Sequence, residues 1–206
     1  MKAINQIIGS IYQNIGDYVF DKKYGLDTVL RVDLSKRSSG NNYQPTGLFR
    51  SRKILDRLKK HGNSGLVDFG SGKGQFLLTA ASLNFTSVKG IEFVKEIHSI
   101  AEKNIATFCS KRSKIDVPIS ICVDASQYEV VEEDKLFYFF YPFKSETMLA
   151  VVENIEKSAL KWPRKIVAAM LYPHDADTFK NRSGWTQIED FKAYGFECRF
   201  YSFQSN

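Results

Sequence analysis

The chain has 206 residues, 43% hydrophobic and 25% charged, an ordinary globular composition with enough length to bury the core of one generous domain. No stretch approaches the roughly 20 apolar residues that span a bilayer. The opening MKAINQIIGSIYQNIGDY does not read as a signal peptide, because Asn, Gln and Ser break its apolar positions and no small-residue cleavage site follows. Cys109, Cys122 and Cys198 are widely spaced and form no CxxC pair, so the cytoplasm is the expected compartment. The net charge of +6 is uneven: residues 1–60 hold 12 Lys/Arg against 5 Asp/Glu, the remainder 17 against 18. Such an excess attracts nucleic acid, anionic lipid or a phosphorylated substrate, or is a solvated helix face.

Ile4, Ile7, Ile8, Ile11, Ile15 and Val19 recur at helical spacing and predict an amphipathic helix over 3–20, packed on the main domain or on a second copy. Residues 20–47 are rich in Gly, Ser, Asn and Asp and read as a long irregular connection, a length that is usually functional or disordered. Thr46 is placed to cap the helix that follows, which stops at Gly62. The chain then alternates: strand 65–69, helix 74–83, strand 87–93, helix 94–112, strand 118–125, strand 135–143, helix 145–162, strand 164–172. Two extended runs over 185–204, split at Tyr194-Gly195, form a hairpin. This predicts an α/β fold: a three-layer, doubly wound, mostly parallel sheet with an antiparallel C-terminal strand. The expected organisation is a helical extension over 1–62, which caps the cofactor, followed by one domain over 63–206.

The stretch VDFGSGKG, residues 67–74, puts three glycines between the first strand and its helix, where backbone can approach a ligand closely. It is not a Walker loop, since no glycine here precedes Lys-Ser or Lys-Thr, and Gln75 stands where a dinucleotide loop needs its third glycine. Asp68, at the strand end, would repel a pyrophosphate but suits an amino group. Glu92 ends the next strand, where a carboxylate accepts from ribose hydroxyls. Asp124 closes the third, in reach of an adenine amino group. Parallel strands bring all three to one edge of the sheet. A ligand with an ammonium, a ribose, an adenine and no phosphate is S-adenosylmethionine, with S-adenosylhomocysteine as product and no metal required. Lys73 is expected to face solvent.

VDFGSGKGQFLLTAA (67–81), GIEF (90–93) and VDAS (123–126) together resemble the first three motifs of class I S-adenosylmethionine-dependent methyltransferases, over about residues 64–204. The run from YGLDT through NYQPTG is similar to that of small bacterial methyltransferases, some of them from surface-polysaccharide gene sets, and to seven-strand protein lysine methyltransferases. The resemblance implies cofactor contacts from Asp68, Gly70, Ser71, Gly72, Gly74, Glu92, Phe93, Asp124 and Ala125, with Tyr43 and Thr46 closing over the cofactor carboxylate. Tyr141, Pro142 and Phe143 stand where relatives carry Asn-Pro-Phe or Asn-Pro-Pro. Tyr141 supplies no amide, which disfavours amino-group methylation. It can bear on substrate and cofactor through its hydroxyl, beside Pro142 and Phe143. His174, with Asp175 and Asp177 near it, is a candidate general base.

The expected reaction is methyl transfer to an oxygen or nitrogen of a small molecule or saccharide. A protein lysine is the alternative acceptor and a non-catalytic cofactor-binding subunit the further one. Nucleic acid is a less favoured partner, since no RNA-binding module is recognisable. The chain is expected to be a monomer or a homodimer.

Overall fold

The computed structural model describes residues 2–30, 44–140, 145–173, 177–180 and 182–204. In chain order these form α1 (Lys2–Tyr24), α2 (Leu48–Leu58), β1 (Ser64–Phe69), α3 (Gln75–Ser82), β2 (Thr86–Glu92), α4 (Lys95–Ser110) and β3 (Ile119–Cys122). A 3-10 turn (Ala125–Gln127), β4 (Leu136–Phe140), α5 (Ser145–Lys161), β5 (Ile166–Leu171), α6 (Asp177–Lys180), β6 (Trp185–Ala193) and β7 (Phe196–Phe203) follow. The strands join one sheet in the order β3-β2-β1-β4-β5-β7-β6, with β7 antiparallel to both its neighbours and the other six strands running one way.

The central strands are apolar runs because both their faces are covered. β4 sends Leu136 and Tyr138 into one core cluster and Phe137 and Phe139 into the other. The first cluster is closed by α1, α2, α3 and α4, through residues such as Phe20, Leu55, Leu77 and Phe108. The second is closed by α5 and α6, through Val151, Ile155 and Phe179 among others. This is the expected three-layer arrangement. The order reverses between β1 and β4, and the crevice above the carboxyl ends of the strands at such a reversal is where ligands bind in open α/β sheets.

Several boundaries differ from the sequence expectation. α1 runs on to Tyr24, because Phe20 and Tyr24 are buried against Phe108 of α4. β3 stops at Cys122, since Asp124 already begins the next turn. α6 is one turn long, too short to leave a periodic signal.

Thr46 does not cap α2. The cap residue is Gly47, and no side chain of the cap itself is used. The helix start is capped from a distance: Gly47 N–H donates to Gln75 Oε1 at 2.9 Å, Leu48 N–H to Asp17 Oδ1 at 2.5 Å, and Arg50 N–H to Gln13 Oε1 at 3.2 Å. Three of the donors that a helix N-terminus leaves unpaired are thus satisfied by α1 and α3. The Thr46 hydroxyl pairs instead with the Tyr138 hydroxyl, 2.9 Å away.

Candidate cofactor site

The glycine loop follows directly from β1. Gly70, Gly72 and Gly74 have φ of 80°, 56° and 84°, conformations that side-chain-bearing residues rarely adopt. The loop folds back over β2, where Gly70 and Ser71 N–H both donate to the Ile91 carbonyl at 2.9 and 3.0 Å. Gly90 makes room for it: a Cβ there would lie 2.6 Å from Ser71 Cβ and 2.5 Å from Leu77 Cδ1. The glycine of GIEF is therefore a packing requirement of the loop.

In the sheet register Asp68 lies between Gly90 of β2 and Tyr138 of β4. Its side chain is 4% exposed, and among the described residues no hydrogen bond to its carboxylate is found. Burial, and then the nearby charge of Glu92, push its carboxyl well above the ordinary value. Glu92 is also buried and raised by burial, but its two oxygens are oriented: Oε2 accepts from Gly72 N–H at 3.0 Å and Oε1 from Val94 N–H at 2.8 Å. Two neighbouring buried carboxyls can receive a cation and hydrogen-bond donors. Ser71 Oγ, in the same loop, is buried without a hydrogen-bond partner among the described residues.

Asp124 caps the 3-10 turn, its Oδ1 accepting from Ser126 N–H at 2.8 Å and Ser126 Oγ at 2.7 Å. Ala125, the first residue of that turn, is buried, and Phe93 is 58% exposed just past β2. Thr46 is buried next to Tyr138, which stacks on Phe76 at 3.8 Å between ring centroids. Tyr43, Tyr141, Pro142, Phe143 and His174 lie outside the described residues. No group of three or more His, Cys, Asp and Glu among the described residues could hold a metal ion, and no helix of the described residues is long and apolar enough to cross a membrane.

Lys73 does not face solvent. Its side chain is 2% exposed, and Nζ donates to Asp27 Oδ1 at 2.8 Å. Asn104 on α4 completes the joint by donating to the carbonyls of Asp27 and Lys73, each at 3.0 Å, and accepting from Asp27 N–H at 2.9 Å. Gln75 is equally buried and, besides Gly47, reaches Asp17 Oδ1 and Thr28 Oγ1, both at 3.3 Å. Both residues act as anchors that hold residues 25–28 and 46–47 against the glycine loop. Their roles left no local signal in the sequence.

No family model matches the chain, and no curated protein does. Solved structures do, at low identity. A magnesium protoporphyrin IX methyltransferase from Synechocystis PCC 6803 with bound S-adenosylmethionine is 13% identical, covers 98% of this chain and 97% of its own, and superposes with a TM-score of 0.58. An RNA methyltransferase from Salinibacter ruber in complex with S-adenosylhomocysteine is 14% identical over 75% of this chain and 93% of its own, with a TM-score of 0.57. A ribosomal protein L11 methylase from Lactobacillus delbrueckii subsp. bulgaricus is 13% identical over 87% and 84%, at 0.56. The fold is that of the class I S-adenosylmethionine-dependent methyltransferases. Their acceptors, a porphyrin, an RNA and a protein, differ among themselves, so the shared fold leaves the acceptor open.

Proposed function

We propose that this chain is an S-adenosylmethionine-dependent methyltransferase acting on an oxygen or nitrogen of a small molecule or saccharide. The observation that carries the reading is Asp68: a buried carboxyl with a raised pKa, without a hydrogen-bond donor among the described residues, beside an oriented Glu92 at the switch point of the sheet. A phosphate-bearing cofactor would meet two acids there. An ammonium and a ribose diol meet what they need.

In this reading Asp68, with the bare loop Gly70–Gly74 and the unpartnered Ser71 hydroxyl, receives the methionyl end. Glu92 takes the ribose, Asp124 and Ala125 the adenine edge, and Phe93 packs beside it. Residues 1–62 serve as the capping extension. Thr46 contributes through its hydroxyl, which Tyr138 can donate to while Thr46 donates onward to a carboxylate; Tyr43 closes beside it. The bound cofactor supplies a methyl already activated by its sulfonium charge. The protein's work is then to align a nucleophile and exclude water. Tyr141 positions the acceptor through its hydroxyl, Pro142 and Phe143 shape the pocket, and His174 is the candidate base. A tyrosine in place of the relatives' asparagine favours this acceptor class over a protein lysine. The three cysteines are free, in keeping with the cytoplasm as the proposed compartment.

Calorimetric titration with S-adenosylmethionine and S-adenosylhomocysteine tests the reading. Both should bind, and Glu92→Ala should weaken each by about tenfold or more through loss of charge-assisted hydrogen bonds. Absence of binding to either ligand, or an unchanged affinity in Glu92→Ala, would overturn it.

A further inference from the structure

Among the described residues four that are not glycine have a left-handed backbone: Asn84, Ser87, Tyr172 and Tyr194. Tolerance of that conformation is ordinary for asparagine and poor for a bulky aromatic. The two tyrosines, with φ of 58° and 48°, are also the two that sit at the ligand edge of the sheet. Tyr172 directly follows β5, its N–H donating to the Glu197 carbonyl at 2.8 Å. Tyr194 is in the turn between β6 and β7. Both are exposed, at 42% and 45%.

Ala193 pairs with Phe196, so Tyr194-Gly195 is a two-residue hairpin loop, and both residues have positive φ, 48° and 88°. That is the type I′ geometry, which favours Asn, Asp or Gly at the first position. Tyrosine there is a costly choice for folding. Strain of this kind persists where a side chain is needed for something else.

The surroundings indicate what it is needed for. Phe196 lies 5.6 Å from the Tyr172 ring and 6.2 Å from Phe140 at the end of β4, joining the hairpin to the strand end beside Asp68's strand. Phe49 stands 6.3 Å from Tyr194, and Lys53 Nζ lies 5.8 Å from the Tyr194 ring centroid. Of the cations near this turn, Arg50 is buried on the carbonyls of Thr46 and Ala193 and Arg57 pairs with Glu189, whereas Arg52 and Lys53 are exposed on α2. β7 is two strands beyond β4, about 10 Å across the sheet. Tyr172, after β5, is one strand beyond β4, and the turn that carries Tyr194 lies further along the same edge, placed to hold the distal part of an acceptor.

Resting on the methyltransferase reading above, we propose that Tyr194 and Lys53, bordered by Tyr172, form a specificity subsite for an anionic sugar of the acceptor, the ring stacking on Tyr194 and its negative charge meeting Lys53. A tyrosine ring that is 45% exposed suits a flat or ring-shaped group. The exposed cations Arg52 and Lys53 select an anion.

Saturation-transfer NMR on the full chain tests this, with D-glucuronate, D-glucose and a uridine oligonucleotide as probes, each with and without S-adenosylhomocysteine. Glucuronate should receive transfer at its ring protons and glucose markedly less. Tyr194→Asn should lower the apparent glucuronate affinity roughly tenfold, the scale of one lost aromatic contact in a site. Because asparagine suits the turn, the same variant should melt no lower than the parent and bind S-adenosylhomocysteine unchanged. Lys53→Gln, on the exposed face of α2, should lower glucuronate binding and abolish the preference over glucose. Equal glucuronate binding by Tyr194→Asn, equal binding of glucose by the parent chain, transfer to the oligonucleotide alone, or no transfer to any probe would each overturn the proposal. If S-adenosylhomocysteine fails to bind while glucuronate behaves as described, the cofactor reading falls and the sugar subsite stands.

Discussion

The carboxylate of Asp17, on α1, accepts the backbone N–H of Leu48, the first residue of α2, across 31 positions of chain. The same oxygen also takes Gln75 Nε2 and Gln13 Nε2, each at 3.3 Å. One atom therefore ties the first helix, the second helix and the helix that opens behind the glycine loop. Asp17→Ala would leave three buried donors short of a partner. The expected loss is about 2–3 kcal/mol of folding stability. Urea denaturation measures it, and a loss below about 0.5 kcal/mol would show that the remote cap is dispensable.

The joint at Lys73 allows a comparison between two substitutions. Lys73→Met keeps the aliphatic stem and removes an ion pair whose partner, Asp27, is 44% exposed and can return to water. That should cost about 1 kcal/mol or less. Asn104→Ala removes three hydrogen bonds to the backbone of Asp27 and Lys73, and should cost about 2–3 kcal/mol. Hydrogen exchange of the Asp27 amide should accelerate in Asn104→Ala and change little in Lys73→Met. The reverse order would mean that charge, not backbone pairing, holds residues 25–28 in place.

Tyr138 and Thr46 exchange a single buried hydroxyl contact at 2.9 Å, and burial pushes the Tyr138 phenol well above its ordinary value, so it stays a neutral donor or acceptor. Tyr138→Phe keeps the stack on Phe76 and strands the Thr46 hydroxyl, at a cost of about 1 kcal/mol. Thr46→Val does the converse. The double variant should cost less than the sum of the two, since it leaves no orphan. Strict additivity in thermal melts would show that the two hydroxyls do not depend on each other.

The sheet was legible in the sequence because its signals are local. Apolar runs such as GLVDF and LFYFF mark strands buried on both faces, and each acid of the expected site sits at or just beyond the end of such a run. The anchors were not legible for the opposite reason. Thr46 finds its partner 92 residues away, Gln75 reaches Asp17 across 58, and Lys73 reaches Asp27 across 46. A threonine before a helix reads as a cap and a lysine in a glycine loop reads as solvated, because nothing nearby says otherwise. In the sequence Gln75 reads only as a missing glycine. Its side chain in fact uses that position to hold the N-terminal segment.

Asp68 links ligand affinity to pH. Burial raises its carboxyl pKa well above 3.8, and the charge of Glu92 raises it further. The folded free protein therefore holds this proton more tightly than the unfolded chain does. Its ionisation is a destabilising event, so the contribution to stability falls as pH rises from near the unfolded value to the raised one. A cationic ligand reverses the preference, favouring the ionised carboxyl and releasing the proton. Affinity for S-adenosylmethionine should accordingly increase with pH up to the raised pKa and then level off. Asp68→Asn should weaken binding by about tenfold or more and remove most of the pH slope, the remainder coming from Glu92, which burial also raises. The same variant should be as stable as the parent or about 1 kcal/mol more so near neutral pH, as expected when a buried carboxyl with no donor among the described residues is replaced by a neutral amide. Calorimetric titrations across the acidic to neutral range, with thermal melts of both proteins in the same buffers, give all three readings. A wild-type affinity that does not change with pH would remove Asp68 as the ammonium's partner.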